Sequence, residues 1–148
     1  MRLLTKASLG ILFFLLTASV CAADEFPYRK DYPGVGIIEL VDLKAGYDRD
    51  EIIIVDVRSA LEFDTIHINK AIHIPMANGA FEQNIGRLAA ENPGRKIAVY
   101  CNGVTCLKSY NAAQRAKDAG VAGVFSFDAG IPAWATAYPS ETLLLGRR

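Results

Sequence analysis

Apolar residues in this chain fall into short blocks separated by turn residues. Residues 51–57, Glu51-Ile52-Ile53-Ile54-Val55-Asp56-Val57, are a near-continuous β-branched run. A run of that kind fits a strand covered on both faces, and so a parallel sheet. Residues 96–100 predict a second buried strand that stops directly at Cys101, residues 123–127 a third, and residues 37–40 a shorter one. Helical patterns lie between them. Residues 41–47 predict a short helix, and Ser59 can cap another running to Phe63. Residues 81–90 place Phe81, Ile85, Leu88 and Ala89 on one face before Asn92-Pro93-Gly94 stops the helix. Residues 107–119 have helical spacing and end at Gly120. The alternation predicts an α/β domain with a mostly parallel sheet. Residues 24–36, with Pro27 and Pro33, read as an irregular lead-in. Residues 139–148 form a tail in which Leu143-Leu144-Leu145 precedes Gly146-Arg147-Arg148 without a legible motif.

The first residues have a different character. Arg2 and Lys6 precede an apolar run from Leu9 to Leu16, followed by the small residues Ala18-Ser19 and Ala22-Ala23 and the acidic Asp24-Glu25. That is the arrangement of a secretory signal, and the run is shorter than the ~20 residues a membrane-spanning helix needs. Residues 1–23 are therefore expected to be a signal peptide, and the protein to be exported, in a periplasmic setting. Cys21 also admits a lipoprotein signal, although Val20 fits that pattern poorly. Contact with a membrane is expected only if this segment is retained or lipidated.

With 148 residues, 51% of them hydrophobic, the chain has enough apolar surface for one core and too little length for a second sizeable domain. Its formal charge is zero, with no basic block interleaved with aromatics, which excludes the usual footprint of a nucleic-acid binder. Once Cys21 leaves with the signal, Cys101 and Cys106 remain. Two cysteines in one loop are not a disulfide scaffold, so the fold has to stand on its core. No metal-ligand spacing joins His67 and His73 to these cysteines, and neither a metal nor a cofactor is expected.

The candidate chemistry lies at Cys101, because parallel sheets present ligands at the carboxyl ends of their strands. The loop that follows, Asn102, Gly103, Val104, Thr105, Cys106, Leu107 and Lys108, can wrap its backbone N–H groups around a sulfur ahead of a helix. Those amides and the helix end favour thiolate over thiol, and Lys108 can add a cation. A strand-Cys-loop-helix unit is thus an anion cradle with a nucleophile at its floor. Cys106, five residues on, is placed to resolve an oxidised or persulfidated Cys101 by forming a disulfide.

Four ordered blocks resemble the rhodanese family. They are Asp56-Val57-Arg58-Ser59 with Glu62-Phe63, residues 67–75, Val99-Tyr100-Cys101 with its loop through Ser109 and Ala112-Ala113, and Asp128-Ala129-Gly130-Ile131-Pro132-Ala133-Trp134. The resemblance implies a rhodanese-like domain over residues 37–138, with a five-stranded, mostly parallel sheet flanked by helices. It also implies a sulfurtransferase in which Cys101 takes sulfane sulfur from a thiosulfate-type donor as a persulfide. A thiol, cyanide, a protein thiol or a reductant would then collect the sulfur. Asp56 and Arg58 resemble residues that brace the loop, with Arg58 expected to pair with Glu62 one helical turn on.

The loop also departs from the family pattern. Cys106 stands where an arginine is common, and alignment on Ser109 and Ala112-Ala113 gives Lys108 that place in a longer loop. Two other readings follow from these departures. One is phosphatase-like or arsenate-reductase-like chemistry in the lengthened loop. The other is a thiol-disulfide redox, anion-binding or partner-binding module using Cys101 and Cys106.

Overall fold

A computed structural model describes residues 26–145 of the chain, and the segment read as an export signal lies outside them. The expected sheet is present. Its strands are β1 (Gly36–Ile37), β2 (Ile52–Asp56), β4 (Ile72–His73), β5 (Lys96–Tyr100) and β6 (Val124–Phe127), all paired in parallel in the order β1-β6-β5-β2-β4. The central strand β5 is in register with Ile52–Asp56 on one side and with Val124–Phe127 on the other. Cys101 therefore leaves the sheet from its middle.

Both faces of this sheet are covered, which explains why β2 is apolar from Ile52 to Val55. Successive side chains point to opposite faces. Ile53, Val55 and Val57 pack with Ile97 and Val99 under helix α3 (Phe81–Glu91) and helix α4 (Lys108–Asp118). On that side Phe81, Ile85 and Leu88 of α3 meet Ala112, Ala113 and Ala116 of α4, whose small side chains let the helix lie close to the strands. Ile52 and Ile54 face the other way with Ala98, Tyr100 and Phe127, under helix α1 (Leu40–Asp48) and helix α5 (Gly130–Ala137). Trp134 fills this second core with no exposed surface, in edge contact with Tyr47 and Tyr138.

Helix α2 (Ala60–Thr65) begins at a complete capping box. Ser59 Oγ accepts from the Glu62 amide and a Glu62 carboxylate oxygen accepts from the Ser59 amide, satisfying two donors that a helix start leaves open.

Two segments hold more structure than their sequence suggested. In the tail, strand β7 (Thr142–Leu144) pairs antiparallel with strand β3 (Ile66–Ile68), placing Leu144 opposite Ile66 and Thr142 opposite Ile68. In the lead-in, Arg29 sits in a short 3-10 turn and donates twice to the buried carboxylate of Asp128, which also accepts from Tyr110 at 2.6 Å. Tyr32 stacks on Tyr110 and donates to Asn111, so the lead-in is tied to the end of β6 and the start of α4. Among the described residues, no helix is long and apolar enough to cross a membrane.

Candidate active site

The loop between β5 and α4 turns sharply over a glycine contact. Gly103 adopts φ +107° and the Cys106 amide donates to the Gly103 carbonyl at 2.8 Å, closing the turn. Beneath it runs the start of α5, where the Ile131 amide donates to the Cys101 carbonyl at 3.1 Å. Gly130 makes that approach possible. At φ +62° it lies in the left-handed region, and a Cβ there would collide with backbone atoms of Cys101 and Gly103. The Asp128-Ala129-Gly130 motif thus fixes the floor of the loop.

A chain of polar contacts braces the loop from α2. Asp56 and Arg58 are both buried, at 0% and 2% exposure, and pair through two nitrogens of the guanidinium, at 3.0 and 2.6 Å. A buried carboxylate is tolerated only when paired and hydrogen-bonded in this way. Arg58 also reaches the Asn102 side-chain oxygen at 3.2 Å, while Asn102 Nδ2 donates to Glu62. The expected pairing of Arg58 with Glu62 does not form. Arg58 precedes the helix rather than lying within it, and Glu62 is taken up by Ser59, Asn102 and, at 3.7 Å, the ammonium of Lys108. Hydrogen bonds from Ser59 and then Asn102 hold the Glu62 carboxyl down at about 2.

The two cysteines occupy unequal positions. Cys101 is fully buried, and its Sγ lies 3.4 Å from the Cys106 carbonyl oxygen and 3.5 Å from Ser109 Oγ. Cys106 is half-buried and packs against the core under α3 and α4. Each of the two thiols has its strongest effect on the other. Donation from Cys101 lowers Cys106 to about 6, helped by the amides of Asn102 and Lys108 and by the Lys108 charge. The same contact, with burial, pushes the Cys101 thiol up, against a smaller opposing effect of Ser109. The amides of Asn102 and Lys108 favour the thiolate form of Cys106, and the Ser109 amide favours that of Cys101. Within the pair the shifts favour thiol on Cys101 and thiolate on Cys106.

Of the other loop residues named from sequence, Gly103 is buried in the turn and Asn102 belongs to the bracing network. Thr105 and Leu107 are exposed, Val104 is half-exposed, and Lys108 lies at the mouth beside Glu62. A cavity of ≈ 140 Å³ opens next to Lys108, walled by Val57, Arg58, Ser59, Pro75 and Met76. Pro75 and Met76 were not singled out in the sequence as pocket wall, since nothing local marks them. Larger cavities open at the amino ends of the strands, and no cysteine or histidine lines them. His67 and His73 each stack against Phe63, with centroids 3.9 and 4.6 Å away. Among the described residues, no three histidine, cysteine or acidic side chains cluster in a way that could hold a metal ion.

Comparison with known proteins agrees with this architecture. The sequence profile of the Rhodanese-like domain matches residues 39–137. An HTH-type transcriptional regulator of Mycobacterium tuberculosis is 33% identical over 123 residues, which cover 83% of this chain and 50% of the regulator. The chain spans about half the length of the curated relatives it matches. Among solved structures, the human single-domain sulfurtransferase TSTD1 superposes with a TM-score of 0.57 at 19% identity, over 70% of this chain and 97% of that one. A thiosulfate sulfurtransferase from Pseudomonas aeruginosa superposes with a TM-score of 0.60 at 22% identity, over 76% of this chain and 21% of the other. At these identities the two structures speak to the fold alone.

Proposed function

Because the chain belongs to the rhodanese-like domain family, we propose that it is a sulfurtransferase that carries sulfane sulfur as a persulfide in the Cys101–Cys106 loop. The observation that carries this reading is the position of the cysteine pair. Cys101 leaves the central strand at its carboxyl end, and Cys106 and Lys108 follow in the same loop, where the Lys108 charge favours a thiolate. By family position the sulfur belongs on Cys101.

The donor in this reading is a small anion or persulfide of the thiosulfate type. Thiolate attack on the outer sulfur releases sulfite, and amides and Lys108 that steady one anion can steady the departing one. The acceptor is a thiol, free or on a protein, or cyanide. The cavity beside Lys108 has a polar side at Arg58 and Ser59 and an apolar side at Val57, Pro75 and Met76, which suits a small organic thiol. The signal-like residues 1–23 support an exported, periplasmic protein, where a reductant has to keep the cysteines available.

Intact mass spectrometry tests the proposal. Reduced protein incubated with thiosulfate is expected to take up sulfur and to pass it to cyanide as thiocyanate. Loss of both in the Cys101→Ser/Cys106→Ser double variant supports the reading. Undiminished thiocyanate formation by that double variant would refute it.

A further inference from the structure

We propose that the cavity beside the amino end of β2 binds a small organic anion, a carboxylate on a ring-sized apolar body, between Lys70 and Arg95. The site stands apart from the cysteine loop. Arg95 and Cys101 bracket β5, so about 20 Å of strand separates them.

Three observations converge on this cavity, whose volume is ≈ 190 Å³. The first is backbone strain. Among the described residues, Asp50 and Lys70 are the two that have positive φ without being glycine, at 57° and 64°, and both line the cavity. Asp50 follows α1, where the Glu51 amide reaches back to the Gly46 carbonyl at 2.8 Å, a place glycine usually takes. Lys70 stands third in the turn closed by the Ala71 amide on the Ile68 carbonyl at 3.0 Å, again a glycine position. Two side chains are thus kept where a bare backbone would be easier, and they meet at one place. Retained strain of this kind gathers at ligand clamps.

The second observation is an open pair of cationic donors. Arg95 Nε is buried and has no hydrogen-bond partner, while Nη2 donates to Asp50 at 2.7 Å. A buried donor without an acceptor is costly and calls for one. Among the described residues Lys70 meets no carboxylate, and its ammonium lies over the Tyr47 ring, 5.0 Å from the centroid.

The third is shape. Tyr47, Ile54 and Ile72 give the cavity an apolar wall beside the two cations. A cavity of ~150 Å³ is enough to hold a benzene ring. A ring therefore fits against this wall with its charge turned to Lys70 and Arg95. The carboxylate would accept from Arg95 Nε and a second guanidinium N–H side by side, the fork that suits its two oxygens. Nε is closed to water as the side chain now lies, so the guanidinium has to turn and release Asp50. That pair is weak, because Asp50 is 83% exposed. An inorganic anion would leave the apolar wall uncovered, and a neutral ring would leave the cations unpaired.

The probe is benzoate, with benzyl alcohol and sulfate as its neutral and inorganic counterparts, followed through backbone amide NMR shifts of the reduced protein. Benzoate is expected to give saturable shifts at Tyr47, Asp50, Lys70 and Arg95, and the other two to bind more weakly. Lys70→Asn and Arg95→Gln should each weaken benzoate about tenfold, the scale of one charged hydrogen bond. Asparagine tolerates the left-handed region, so Lys70→Asn removes the charge and keeps the turn. Melting curves establish folding, and Lys70→Asn alone decides if Arg95→Gln does not fold. Asp50→Asn should tighten benzoate, because it removes the acid that competes for Arg95. Benzoate shifts confined to residues 101–108, no saturable shift, or unchanged affinity in the folded cation variants would each overturn the site. Sulfate binding as tightly as benzoate overturns the organic ligand class, and weaker benzoate binding by folded Asp50→Asn overturns the release of Asp50.

Discussion

A Cβ on Gly130 would stand 2.5 Å from the carbonyl oxygen of Cys101. Backbone meets backbone there, and neither side can rotate away. Gly130→Ala also forces a side chain into a φ of +62°, which by itself costs about 1–3 kcal/mol. We expect the variant to unfold at lower urea concentration and to expose Cys101 to alkylation. An unchanged midpoint with Cys101 still protected would contradict the close packing.

The Asp56–Arg58 pair makes a second prediction. With both residues buried, Arg58→Ala leaves a carboxylate unpaired and should cost about 3–5 kcal/mol in chemical denaturation. Arg58→Lys should restore only part of this, because a point charge cannot replace the two-nitrogen grip. The double change Asp56→Leu/Arg58→Met should be far milder than Arg58→Ala alone.

Thiol reactivity should follow the pH dependence of Cys106. Its pKa is lowered to about 6, so the thiolate is present above that value and lost as pH falls through it. Iodoacetamide labelling of Cys106 should therefore be close to its plateau at pH 7 and decline below pH 6. Cys101→Ala removes the chief hydrogen-bond donor and should move the midpoint upward. A labelling profile still rising at pH 8 in the unsubstituted protein would rule out this arrangement.

Glu62 ties the start of α2 to the loop. Its carboxyl is held at about 2 against an ordinary 4.5, chiefly by Ser59, so its contribution is fully present above the ordinary range. That contribution fades as pH falls from there toward 2. Glu62→Gln should cost about 1 kcal/mol at pH 7 through the weakened cap, and the difference from the unsubstituted protein should shrink between pH 5 and pH 2. Paired thermal melts across that range would show it.

The main elements were legible because their causes are local. The β-branched run of β2, the spacing of Phe81, Ile85 and Leu88, and Ser59 with Glu62 three residues on each act within a few residues. What was not legible depends on partners far along the chain. Arg29 and Asp128 lie 99 residues apart, and the short β3 and β7 have meaning only beside each other. Helix α5 carries Gly130 and Pro132, both unfavourable signals for a helix, and its formation rests on burying Ile131 and Trp134. At the site, sequence located the loop and both cysteines. How Gly103 turns the backbone so that the Cys106 amide reaches its carbonyl is a property of the closed loop.

The strand order carries a consequence for synthesis. Strand β1 leaves the ribosome before the other strands of its sheet, yet its partner β6 is separated from it by most of the domain. The central strand β5 likewise has a neighbour on only one side until Val124–Phe127 has emerged. The nascent chain therefore cannot complete its sheet, or floor its cysteine loop with Gly130, until residues 124–130 have emerged.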